Sequence, residues 1–318
     1  MVPFLVISRP WRSARPRTAS LNLRLRTAGL DAWCAFGCSA ESAQVIATGI
    51  QQAKPVILFL ASNADLTLPP DGNVETQNEY GENYVDRKFA ISNAARIVCQ
   101  SQLQLKQIHE LHKTDGVIIK YPIDIKQWSP KQSGTRSGVL WIGRYDYFHK
   151  RVQLAIQIAK LCPNIPFKLI VNPSNQDIEQ TIRQHCPPNV SIVDYVPFDE
   201  MHLEFCSSQV FLSTGHPDYE GFPNVLLQAA ASRTPTVSMY DFDNFLASSG
   251  AGVICNDSPE VAAATIKEIT TDDKTNWDGV YSYLQQHHSG DAIERQLWEV
   301  IYSEIERYSG EATSVDCK

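Results

Sequence analysis

The stretch His216-Pro-Asp-Tyr-Glu-Gly-Phe-Pro-Asn-Val-Leu-Leu-Gln-Ala-Ala-Ala-Ser-Arg-Thr-Pro235 carries most of the information about this chain's fold. Residues 209–214 before it read as a short buried strand, and 236–239 after it read as another. Between them lie a polar loop with one acid, Glu220, and a Gly221-Phe222-Pro223 that opens an apolar helix. Pro223 suits a first helical position, where its missing N–H costs nothing and its φ is already helical. The free amides of that first turn, with the positive end of the helix dipole, form a natural seat for phosphate. Asn224 and Gln228 stand four residues apart and so face one ligand.

The same alternation extends outward in both directions. Strand-like runs at 4–8, 31–36, 55–62, 96–101 and 117–121 make up the first half, with a helical pattern at 102–113. Residues 66–82, rich in Pro, Gly, Asp and Asn, form a surface loop. A polar stretch at 129–138 reads as a linker, placing one domain at 1–137 and a second at 138–318. In the second half, strands at 139–142, 167–171, 190–196 and 252–255 join those flanking the opening stretch. Helices at 152–162, 177–185 and 199–206 fall between them, and 293–308 is an amphipathic closing helix. This is an α/β pattern with parallel sheets covered on both faces. Two such domains leave a cleft, and ligands bind at the carboxyl ends of the strands.

With 318 residues the chain is long enough for two domains with a core in each, and 43% hydrophobic with 20% charged residues is a globular composition. A net charge of −7 argues against broad nucleic-acid binding. No apolar run approaches the roughly 20 residues of a membrane-spanning helix. The eight cysteines are scattered without a Cys-x-x-Cys pair, so no zinc site is indicated, and they read as reduced thiols of a cytoplasmic protein. Six arginines and no acid occupy the first 30 residues. Their leading reading is a basic face towards an anionic acceptor or the inner face of a membrane; organelle targeting is the less favoured alternative.

A second chemical cluster, Gly143-Arg-Tyr-Asp-Tyr-Phe-His-Lys-Arg151, sits between a strand and a helix. Gly143 ends the strand in a tight turn, and Arg144, Lys150 and Arg151 gather charge behind it. In a doubly wound domain this loop shares the carboxyl edge of the sheet with the Glu220 loop. Cations beside a helix amide cradle describe a diphosphate site. The spacing is neither Gly-x-x-x-x-Gly-Lys nor Gly-x-Gly-x-x-Gly, so neither a nucleotide triphosphatase nor a nicotinamide dehydrogenase is indicated.

Together these motifs resemble the retaining glycosyltransferases of family 4, the group 1 transferases with the two-Rossmann GT-B fold. The resemblance rests on Gly143-Arg144 followed by Lys150, and on Glu220-Gly-Phe-Pro-Asn-Val-Leu-Leu-Gln-Ala. It continues more weakly through Asn93-Ala-Ala-Arg-Ile-Val-Cys-Gln-Ser101 and Pro122-Ile-Asp124. It implies two Rossmann-like domains facing across a cleft, the first of them shortened. It also implies that Arg144 and Lys150 hold the donor diphosphate without metal or cofactor, and that Glu220 faces the transferred sugar. Gly143, Gly221, Phe222, Asn224, Val225 and Gln228 would complete donor binding, with Tyr195-Val-Pro197 near the base. The implied partners are a nucleoside diphosphate sugar and a glycan, polysaccharide or lipid-linked acceptor.

Three departures follow. Gln228 replaces the family's second acid, which accepts hydrogen bonds from the ribose; loss of that charge costs on the order of 1 kcal/mol. The first-domain histidine is missing, and Asn63 or Asp65 takes any acceptor-side role by default. His109, His112, His149 and His216 read as surface or packing residues. Only 30 residues precede Asp31. Either residues 9–17 replace a glycine loop, or the true start lies upstream. The leading reading is a metal-independent hexosyltransferase. The alternatives are a non-catalytic GT-B partner subunit or truncated inactive relative, and a GT-B epimerase, whose acid–base pairs are not identifiable.

Overall fold

The structure, a computed structural model, describes residues 29–70, 72, 73, 75–130 and 134–315. The strand expected at 4–8 and the basic block up to residue 26 lie outside the described residues. Two compact units result: the chain up to Lys120 together with Ile293 onward, and Tyr121–Ala292.

The first unit alternates strand and helix: β1 (Trp33–Phe36), α1 (Ala40–Gln51), β2 (Val56–Phe59), α2 (Tyr84–Asn93), β3 (Arg96–Cys99), α3 (Gln102–His112) and β4 (Val117–Ile118). Its sheet is parallel throughout, in the order β1-β2-β3-β4. The strands are apolar runs because both faces are buried. Leu58 and Ile97 join Ile46, Ile91 and Ile108 on one side, while Ile57 and Val98 face the other. Ser39 starts α1 by accepting from the Ser42 amide, which satisfies one of the helix's orphan donors.

The second unit contains α4 (Ile125–Trp128), β5 (Val139–Arg144), α5 (Val152–Leu161), β6 (Phe167–Asn172), α6 (Gln176–Gln184) and β7 (Val190–Val193). It continues with α7 (Met201–Ser207), β8 (Val210–Ser213), α8 (Asn224–Ala231), β9 (Thr236–Ser238), α9 (Phe245–Ser249), β10 (Gly252–Ile254), α10 (Pro259–Thr271) and α11 (Trp277–His288). The six strands are parallel, in the order β10-β9-β8-β5-β6-β7. Alternation along β5 supplies both cores: Val139 and Trp141 pack with Ile156 and Ile266, and Leu140 packs with Phe205, Leu226 and Leu284. The chain runs from β5 outward to β7, then crosses back to β8 on the other side of β5. That reversal opens a crevice at the carboxyl ends of β5 and β8, where an open α/β sheet takes its ligand.

The units divide differently from the 1–137 and 138–318 expected. The chain joins the second unit's packing at Tyr121, ahead of the polar stretch: Trp128 is buried with Phe205, and the Ile123 amide donates to His288 O at 2.9 Å. The closing helix, α12 (Gly290–Val315), belongs to the first unit from Ile293 onward. Its amphipathic stripe, with Ile293 and Ile301 buried, covers the sheet face bearing Ile57 and Val98. The buried Glu304 pairs with Arg96 at 2.7 Å.

Candidate active site

The loops after β5 and β8 meet at the crevice of the second unit. Gly143 is required there, because a Cβ would sit 2.3 Å from the Trp141 ring and 3.0 Å from Lys150 Cβ. The following turn is organised by Asp146, a buried carboxylate. Its Oδ1 accepts the amides of His149 at 2.8 Å, Lys150 at 2.6 Å and Arg151 at 3.3 Å. Its Oδ2 accepts from Arg144 Nε at 2.7 Å. One acid therefore shapes the loop and aims the guanidinium.

Residues 150 and 151 are tied to the β8 loop. Trp141 Nε1 donates to Thr214 Oγ1 at 2.7 Å, and that hydroxyl donates in turn to Lys150 O. Arg151 takes a left-handed conformation, φ 55°, rarely adopted by a residue with a side chain. Its Nε donates to Thr214 O at 2.6 Å and its Nη1 to Asp257 at 2.7 Å, so its side chain supports the conformation its backbone would otherwise avoid. The His216 amide donates to His149 O at 2.9 Å and closes the second loop onto the first.

The acid predicted to face the sugar meets one predicted cation directly, and His149 stands between it and the other. Lys150 Nζ donates to Glu220 Oε1, and His149 Nε2 stands 2.9 Å from the same oxygen. On its other side, His149 Nδ1 lies 2.8 Å from Arg144 Nη2. His149 is therefore a member of the site and not a surface or packing residue. The signal that could have found it was its place next to Lys150 in a loop shaped by Asp146, whose carboxylate reaches the amides three to five residues on. Burial raises the Glu220 pKa, but the Lys150 charge and the His149 contact outweigh it and hold the group at about 2, below its ordinary 4.5. The carboxylate therefore stabilises the fold above pH 4.5, and that contribution is lost as pH falls towards 2. The stability difference between the parent and Glu220→Gln should grow from pH 2 to 4.5 and then level off, as followed by urea unfolding. A difference that is flat across this range would contradict the pairing.

Beyond Glu220 the chain turns through Gly221 and the buried Phe222, whose ring stacks on His288 at 5.9 Å. Pro223 is the cap of α8, with ψ 111°, and Asn224 is the first helical residue; the expected start is thus one residue later. The first bond back into this turn is from the Leu226 amide to Pro223 O at 3.0 Å, so the amides of Asn224 and Val225 precede it. Asn224 is exposed, and Gln228 is half-buried one turn on. Tyr195, beyond β7, is exposed.

Asn63 and Asp65 belong to the first unit, in a short 3-10 turn after β2. Asp65 is a backbone clamp there. It accepts the amides of Cys38 at 3.1 Å, Ala61 at 2.6 Å and Ser62 at 3.2 Å, with burial pushing its pKa up. Among the described residues, no cluster of three or more His, Cys, Asp or Glu is arranged to hold a metal ion, and no helix is long and apolar enough to cross a membrane.

Comparison with known proteins bears on the family and the fold. Residues 136–272 match the family described as Glycosyl transferases group 1. No curated protein sequence is significantly similar to the chain. Among solved structures, a variant of S. aureus TarM in complex with fondaparinux, alpha-GlcNAc-glycerol and UDP superposes with a TM-score of 0.71 at 16% identity, covering 89% of this chain. The present chain spans only 58% of that protein's length. Anabaena HepE in complex with UDP and glucose gives a TM-score of 0.69 at 15% identity, covering 89% of this chain and 81% of its own. A putative UDP-N-acetylglucosamine 2-epimerase from Listeria monocytogenes gives 0.58 at 10% identity, covering 91% and 78%. Likeness at these identities establishes the GT-B fold, which transferases and epimerases share, and leaves the reaction to the site.

Proposed function

We propose that this chain, whose residues 136–272 form a group 1 glycosyl transferase domain, moves a sugar from a nucleoside diphosphate to the hydroxyl of a glycan, polysaccharide or lipid-linked acceptor with retention of configuration. One observation carries the reading: Arg144, Lys150 and Glu220 converge at the strand-order reversal, beside the start of α8. The bond from the anomeric carbon to the diphosphate oxygen breaks, with its electron pair leaving on the diphosphate. The acceptor oxygen bonds to that carbon, and its proton passes to the departing diphosphate. Arg144 and Lys150 neutralise the charge that develops, a task that needs no metal ion. The amides at the start of α8 seat the distal phosphate, and Glu220 receives hydroxyls of the sugar.

Gln228 favours a second reading, a binding subunit without turnover. The experiment that separates them is incubation with labelled UDP, GDP and ADP sugars, scored for hydrolysis or transfer. The UDP bound in TarM and HepE puts UDP sugars first. Nucleotide-dependent stabilisation with no released sugar from any donor would decide for the binding subunit. In the same assay Gln228→Glu should tighten donor binding roughly fivefold to tenfold, because a carboxylate accepts from ribose hydroxyls more strongly than an amide. An unchanged Kd by calorimetry would remove Gln228 from the ribose site.

A further inference from the structure

Phe222 joins Glu220 to the first turn of α8, and its ring is held from α11. The ring is buried and stacks on the imidazole of His288, the last residue of α11, at 5.9 Å between centroids and 29° between planes. Phe245 meets both rings edge-on, at 5.5 and 5.8 Å. Aromatic contacts of this kind fix ring orientation as well as burying area.

His288 is itself 2% exposed, a polar ring in an apolar core. Leucine would fill such a space without the cost of desolvating an imidazole. What the imidazole adds is an anchor. Its Nδ1–H donates to Tyr121 O at 2.8 Å, and the proton is on that nitrogen because a carbonyl oxygen only accepts. The His288 carbonyl in turn accepts from the Ile123 amide at 2.9 Å. One residue therefore brackets Pro122 by ring and by main chain while carrying Phe222 on the ring. The bracketed segment is firm: Asp124 follows it and caps α4, and Trp128 at the end of α4 is buried in the same core.

The turn that Phe222 carries has little room for error. Glu220 stands two residues before the ring, and the Asn224 and Val225 amides stand two and three after it. Displacing the ring moves both, and misplacement of a binding group by about 1 Å can cost on the order of 10²-fold. We propose that His288 is a positioning residue of the donor site: its ring seats Phe222, and with it the turn from Glu220 to α8, on the anchored segment Tyr121–Ile123. It acts on the donor through Phe222. The proposal rests on the reading of this turn as donor-binding, and adds a determinant that lies outside both donor loops.

The test is calorimetric binding of UDP, GDP and ADP to the full chain, well below its melting temperature. His288→Ala should weaken the tightest of the three roughly tenfold. His288→Phe restores a ring to stack on Phe222 and should return the affinity to within about threefold of the parent. His288→Asn keeps a donor for Tyr121 O but no ring, and should stay weak. Phe222→Leu should lose as much as His288→Ala, and combining the two should add little, because they act through one contact. Ile266→Ala, which opens a cavity in the other core of the unit, is the stability control; it should lower the urea midpoint and leave the Kd unchanged. In the unaltered protein, bound nucleotide should slow hydrogen exchange of the Ile123 amide and leave that of Asp272, at the end of α10, as it was. That measurement decides the matter where a variant does not fold. Parent affinity in His288→Ala, or recovery in His288→Asn and not in His288→Phe, would overturn the proposal alone. Exchange at Ile123 that is equal with and without nucleotide would do the same. A parent that binds none of the three nucleotides would overturn the donor reading, and this proposal with it.

Discussion

Lys150→Ala is expected to lower turnover by roughly 10²- to 10³-fold, the usual scale for removing one preorganised charge from a developing anion. Arg144 remains in that variant, aimed by Asp146 and His149, so a residual rate should persist. Glu220 is left with His149 as its remaining close partner. Loss of the lysine therefore also costs about 1–3 kcal/mol of stability. The two effects separate when initial rates are measured with saturating donor, well below the melting temperature. Arg144→Ala should behave alike, with less loss of stability, because the Asp146 bonds to the 149–151 amides do not depend on it. Full turnover in both variants would end the transferase assignment.

The second large effect is on stability. Gly143→Ala should cost about 3 kcal/mol or more, at the upper end for an overpacked site. The added methyl would lie 2.3 and 2.7 Å from two carbons of the Trp141 ring. That ring cannot retreat easily: it is 1% exposed, and its Nε1 is held by Thr214. Displacing the ring would also pull on the Thr214 bond to Lys150 O, so donor binding should fall together with the urea midpoint. Gly134→Ala, where the methyl meets nothing within 4 Å among the described residues, is the control and should change stability by less than about 0.5 kcal/mol. Equal midpoints for the two variants would show that the indole can shift.

The sequence made the second unit's strands and the cations of its first loop readable for a physical reason. Both lie in short apolar runs punctuated by Gly and Pro, the strongest local signals available. Several helices were not readable. α1 turns Ser42, Thr48 and Gly49 inward, so its buried face is not an apolar stripe. α2 leaves Val85 and Phe89 exposed, which blurs its periodicity from the other side. In the site, Arg144 and Lys150 were singled out by their place in the loop after a strand, and Glu220 took its role from the resemblance; the structure pairs Lys150 with Glu220 and sets Arg144 beside His149. Asp146 and His149 were missed, because a capping acid and a lone histidine leave no periodic trace. Asn63 and Asp65 were reached by default alone, and Asp65 holds backbone amides.

The return of α12 to the first unit has a consequence for biosynthesis. The chain leaves that unit at Lys120 and rejoins it at Ile293, so the second unit is a continuous insertion. On a ribosome, every residue of the donor loops emerges before the helix that covers Ile57 and Val98. Domains fold as units when their residues become available. The unit that comes second in the sequence is thus the first to have all its parts, and the first unit waits with one apolar sheet face uncovered until α12 has emerged.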